Sequence, residues 1–142
     1  MYKFQKPPYL PVLMQLKYLE KSFPEFTLRS RYREQKLLVS GELCPSALSR
    51  NYKFKIEYEL GMRPNVTLPD TSFAEKRPPH LFSDDSLCLY HRFGRGAWSP
   101  YTPLTSLIPL VSHWLWCYEM WESTGVWHAD EFPHTGEPKE KR

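Results

Sequence analysis

The chain reads as an α+β protein: a helix, a run of strands joined by short turns, an irregular stretch, then a second and longer helix. Three observations carry this reading. Leu13, Leu16, Leu19 and Phe23 recur at near-helical spacing beside Lys17, Glu20 and Lys21. Residues 52–59, YKFKIEYE, alternate apolar and charged side chains without a break. Leu107, Leu110, Val111, Trp114, Leu115, Tyr118 and Trp121 fall at steps of three and four on one helical face.

The elements follow in order. Pro11 suits the first turn of a helix over 11–22, and Pro24 stops it. From Phe26 the period changes to two: Phe26, Leu28 and Tyr32 alternate with Thr27, Arg29, Arg31 and Arg33, although Ser30 interrupts the apolar side, which predicts a strand at 26–33. Glu34 and Gln35 form a tight turn into a second strand over 36–43, carried by Leu37, Val39 and Leu43 and ended by Pro45. After the strand at 52–59, Gly61 and Pro64 make a turn and 65–68 a short fourth strand. Consecutive strands with short links predict an antiparallel meander. The final helix starts after Thr105 or Ser106, either of which can cap it, tolerates Pro109 in its first turn, and stops at Gly125. The aromatic stripe along it is core.

At 142 residues the chain has the size of one domain, which we place at 1–128, with a polar, charged tail over 129–142. Hydrophobic residues make up 41% and charged residues 25%, ordinary globular usage, while 15% aromatic content and 14 prolines supply core bulk and rigid loops. A formal charge of +3 is too small a surplus for a phosphate-binding face, and Arg29, Arg31, Arg33 and Lys36 alternate along a strand toward solvent, so no nucleic-acid partner is expected. No apolar run reaches signal-peptide or membrane-spanning length, so no membrane association is expected either. Cys44, Cys88 and Cys117 are an odd count with no CxxC pair, which points to a reducing cytoplasm. His113 and Cys117 lie four apart on the last helix, but two ligands do not make a zinc site, so neither metal nor other cofactor is called for.

The stretch over 78–100, PPHLFSDDSLCLYHRFGRGAWSP, concentrates the chemistry. Asp84, Asp85 and Ser86 favour a turn, after which Cys88 sits between Leu87 and Leu89 on a short extended segment. His80 lies eight residues before the sulfur and His91 three after it; Arg92 and Arg95 follow in a glycine-bearing run, then Trp98-Ser99-Pro100. A lone intracellular cysteine is more often a small buried hydrophobe than a nucleophile.

The order of a polar donor, an eight-residue step, Leu-Cys-Leu and a Trp-Ser-Pro resembles the active-site segment of ubiquitin-conjugating enzymes, the UBC-like family, where the pattern is His-Pro-Asn, then Cys-Leu, then Trp-Ser/Thr-Pro. The predicted element order is also that of the UBC fold, so the resemblance spans about residues 8–125, with motif-level detail only at 78–100. His80 stands where the family has asparagine, and an imidazole N–H can replace the amide as an oxyanion donor. A histidine there, followed by Leu-Cys-Leu-Tyr, is closer to the prokaryotic UBC-like proteins, among them components of CBASS antiphage operons encoded beside cGAS-like nucleotidyltransferases.

The resemblance implies acyl transfer: Cys88 takes the C-terminal carboxyl group of a carrier as a thioester and passes it to an amine, with His80 as oxyanion donor. The implied carrier is the C-terminus of a cGAS-like nucleotidyltransferase, or a ubiquitin-like protein of a longer bacterial pathway, with a separate adenylating enzyme as a further partner. Asp84 and Asp85 either orient an incoming lysine or simply shape the turn. His91, Arg92 and Arg95 either contact the carrier's tail or belong to a solvated loop. Trp98 is the structural anchor beneath that loop. Two rivals remain at this point: a catalytically silent UBC-like binding module, and a cysteine hydrolase pairing Cys88 with His80 or His91, for which no orienting Asn or Asp stands out.

Overall fold

A computed structural model describes residues 9–90 and 98–128. It has the element order the sequence predicts: α1 (Val12–Ser22), β1 (Thr27–Arg31), β2 (Lys36–Leu43), β3 (Tyr52–Glu59), β4 (Asn65–Thr67) and α2 (Leu107–Thr124). The strands form one antiparallel sheet in the order β1-β2-β3-β4. Its register sets apolar partners side by side on the inner face, Leu37 opposite Tyr58, Val39 opposite Ile56 and Ile56 opposite Val66, and that face merges with both helices in one hydrophobic core. Gly41 in β2 is required by packing, since a Cβ there would meet the Phe26 ring at 2.5 Å.

The helices end where the chemistry says, with two corrections. Gly125, at φ 80°, takes the left-handed position that closes α2, and its N–H returns to the Trp121 carbonyl at 2.8 Å. At the other end neither Thr105 nor Ser106 caps α2 through its side chain. A short 3-10 turn, Leu104–Ser106, leads straight into the helix and the Ser106 hydroxyl bonds back to the Pro103 carbonyl instead. In α1 the buried face is Val12, Gln15 and Leu19, while Leu13, expected inside, is 46% exposed. The face is rotated by Gln15, a polar residue with no accessible surface: its Nε2 donates to the Thr102 carbonyl at 3.0 Å and its Oε1 accepts the Leu104 N–H at 2.7 Å. That pair of bonds ties α1 to the approach of α2.

The predicted first strand is also shortened. It ends at Arg31, and Tyr32–Glu34 form a 3-10 turn closed by Gln35 in the left-handed region at φ 53°. The Gln35 side chain accounts for this: its Nε2 donates to the Tyr32 carbonyl at 2.7 Å, and its backbone carbonyl accepts the Leu60 N–H at 2.9 Å.

Candidate active site

The segment after β4 folds into a small hairpin whose two arms carry His80 and Cys88. Leu81 and Leu87 form an antiparallel bridge, the Phe82 N–H donates to the Ser86 carbonyl at 2.8 Å, and the Asp85 N–H donates to the Phe82 carbonyl at 3.0 Å. This is a three-residue loop over 83–85 with its last residue left-handed, Asp85 at φ 69°. Aspartate tolerates that conformation better than most residues, which is why the local sequence folds this way. Asp84 caps the loop, its Oδ1 accepting both the Ser86 N–H at 3.0 Å and the Ser86 hydroxyl at 2.6 Å. Those two bonds hold its carboxyl below the usual aspartate range. Arg77 closes the loop from outside, pairing with Asp85 and donating to the Phe82 carbonyl at 2.7 Å.

One arm is stitched to the sheet, because the Leu87 N–H donates to the Val66 carbonyl of β4 at 2.8 Å. The other is stitched to α2. The His80 carbonyl accepts the Cys88 N–H at 3.0 Å and, with its second lone pair, the Trp114 indole N–H at 3.0 Å. Residues 80 and 88 are therefore direct cross-hairpin neighbours, with α2 behind them. Cys88 is 5% exposed between buried Leu87 and Leu89, and its Sγ lies 3.8 Å from the Tyr90 carbonyl. Tyr90, whose hydroxyl donates to the Pro64 carbonyl at 2.6 Å, is pushed up to about 12, chiefly by burial.

His80 itself sits at φ 65°, a left-handed position that costs most residues on the order of 1 kcal/mol but in which histidine and asparagine are over-represented. The Trp127 ring stands 5.0 Å from the imidazole, centroid to centroid, and Trp127 in turn packs edge-on against Trp114 at 5.2 Å. Burial lowers the pKa of His80 below its ordinary value, so the ring is neutral at pH 7 and carries one N–H to donate. Trp98 packs against Tyr58 at 5.8 Å and Tyr90 at 6.4 Å. The indole nitrogens of Trp98 and Trp127 are buried with no hydrogen-bond partner among the described residues, so both rings act here through packing.

The hairpin that sets a cysteine opposite a histidine thus follows the four-stranded meander and is tied to β4 and α2. Residues 15–135 match the family described as type II CBASS E2 protein. The chain belongs to that family. Membership gives this CBASS E2 protein an E2-like role in antiphage defence and suggests conjugating-enzyme activity. No curated relative matches the chain.

Among the residues singled out from the CBASS E2 sequence, the structure brings His80 and Cys88 together and puts Asp84 and Asp85 in the turn between them, both engaged in shaping it. His91, Arg92 and Arg95 lie outside the described residues. Trp98 is half-buried against the core. Sequence reasoning missed Trp114, Trp127 and Arg77 as neighbours of the site. The first two belong to an aromatic stripe and a chain end that carry no motif, and their contacts with His80 span 34 and 47 residues of chain. Elsewhere, the Cys117 Sγ is 3.6 Å from His113 Nε2 within α2, and no group of three or more His, Cys, Asp or Glu among the described residues converges to hold a metal. No helix among them is long and apolar enough to cross a membrane.

Proposed function

We propose that this CBASS E2 protein, on a UBC-like fold, carries the C-terminus of a partner as a thioester on Cys88 and transfers it to an amine. The Cys88 sulfur attacks a carbonyl already activated by an adenylating partner; the C–S bond forms as the activating group leaves. An amine then attacks the thioester carbonyl, the C–S bond breaks, and the thiol is regenerated as the amide forms. In both steps negative charge develops on the carbonyl oxygen, and the neutral His80 imidazole donates its N–H to it. The carrier is a cGAS-like nucleotidyltransferase. Cys88, a residue only 5% exposed, is matched by a thin, extended C-terminus rather than a folded surface.

The observation that supports this reading is the 3.0 Å hydrogen bond from the Cys88 N–H to the His80 carbonyl, because it pairs residues 80 and 88 across one hairpin. Incubating the protein with the nucleotidyltransferase, ATP and an adenylating enzyme should give an adduct that thiols cleave, mapped by mass spectrometry to Cys88. Carrier binding with no adduct would favour the silent module. Release of a free carboxylate from an amide-linked substrate would favour the hydrolase.

A further inference from the structure

The strap that follows α2 is aimed at the site by one residue. Gly125 at φ 80° reverses the chain, the Val126 N–H is held by the Thr124 hydroxyl at 3.1 Å, and Trp127 comes back over the face of α2 that carries Trp114. There its ring packs on Trp114 and on His80, while Trp114 holds the His80 carbonyl from the same side. The backbone of residue 80 is thus fixed by Cys88 and Trp114, and its ring is walled by Trp127. The Trp127 N–H has no hydrogen-bond partner among the described residues, so the bulk of the ring is what the site uses.

We propose that Trp127 is a positioning residue: its indole, swung back by Gly125, holds the His80 imidazole in a single orientation toward Cys88 and shields it from water. This rests on the reading of His80 as the oxyanion donor. A donor on a side chain with two free torsions must be held still to be worth its hydrogen bond, and misplacement by an ångström costs rate although the donor is present. The titratable groups on the elements packed around the ring are Asp84, Asp85 and Cys88 on the hairpin, His113, Cys117, Tyr118, Glu119 and Glu122 on α2 and His128 on the strap, and burial is the cause of the His80 shift.

The test combines an NMR titration of His80 in the full chain with single-turnover transfer from a preformed Cys88 thioester. Trp127→Ala should raise the His80 midpoint toward the ordinary value of about 6.5 and slow transfer by roughly ten- to a hundredfold, with Trp127→Phe restoring most of both. Gly125→Ala, which strains the reversal without touching any ring, should act in the same direction as Trp127→Ala. An unchanged midpoint in Trp127→Ala overturns the proposal, as does a raised midpoint with transfer at the parent rate. His80→Ala run in parallel separates the two readings: if it too transfers at the parent rate, the catalytic role of His80 has failed, whereas the titration still reports whether Trp127 governs the ring.

Discussion

Two polar regions rest against α2, and they are built in opposite ways. Near its C-terminal half, Glu119 accepts the Ser49 hydroxyl at 2.6 Å on one oxygen and the Tyr52 hydroxyl at 2.7 Å on the other, while Ser46 bonds to Ser49 at 2.7 Å. Arg50 lies over the Tyr52 ring at 4.7 Å and reaches Glu122 at 3.5 Å. Burial, reinforced by the bond to Glu119, pushes the Tyr52 hydroxyl far above its ordinary range. Polar groups there are matched donor to acceptor on backbone of ordinary conformation. At the His80–Cys88 hairpin, by contrast, two non-glycine residues adopt positive φ, the Trp127 ring packs on the imidazole, and burial lowers the pKa of His80. The first arrangement fastens a loop to a helix. The second keeps strain and a shifted titration beside a thiol, the combination associated with chemistry rather than scaffolding.

If that contrast is right, damage to the two regions should separate stability from activity. Glu119→Ala leaves the Tyr52 and Ser49 hydroxyls without their acceptor and should lower unfolding stability by about 1–3 kcal/mol, while transfer from a preformed thioester proceeds at the parent rate. Denaturant melts beside single-turnover assays would show it. Slowed transfer at intact stability would erase the distinction between the regions.

A smaller effect sharpens the same contrast through pH. Because burial depresses the folded pKa of His80, its contribution to stability is complete above the unfolded value of about 6.5 and is lost as pH falls through the lower folded value, where the unfolded chain binds the proton more readily. Asp84, held down by Ser86, adds its own loss only below about pH 4. Denaturant midpoints should therefore fall as pH drops below about 6.5, and His80→Asn should flatten that part of the curve. A slope unchanged by His80→Asn would assign the loss to other groups.

Much of the fold was legible because periodicity and breakers act locally: the unbroken alternation of β3 and the glycine stop of α2 needed no knowledge of the rest of the chain. What was misread depended on partners distant in sequence. Gln15 looks like a solvent residue until the segment near Thr102 presents a carbonyl and an N–H to it, and that pairing is what turns Leu13 outward. Gln35 reads as an ordinary turn residue until its side chain caps the 3-10 turn. At the site, the turn before Cys88 was legible and the resemblance singled out His80 and Cys88, but the hairpin that makes them cross-strand neighbours over a three-residue loop was not read from the sequence. The walls of the site, Trp114 and Trp127, come from the far end of the chain and leave no signature in the motif. The left-handed backbone at residue 80 gives a physical reason for what the motif contains: histidine, like the family's asparagine, tolerates that conformation and carries an N–H.

The most direct test of the account is single-turnover transfer from a preformed Cys88 thioester in three proteins: parent, His80→Ala and His80→Asn, with circular dichroism and thermal melts to confirm folding. Alanine removes the donor and also fits the positive φ poorly, so a modest loss of stability is expected alongside a fall in rate of roughly a hundred- to a thousandfold. Asparagine keeps both the backbone tolerance and an N–H and should recover part of that rate. Transfer by a folded His80→Ala protein at the parent rate would contradict the account, leaving His80 as a packing residue and Cys88 without its partner in catalysis.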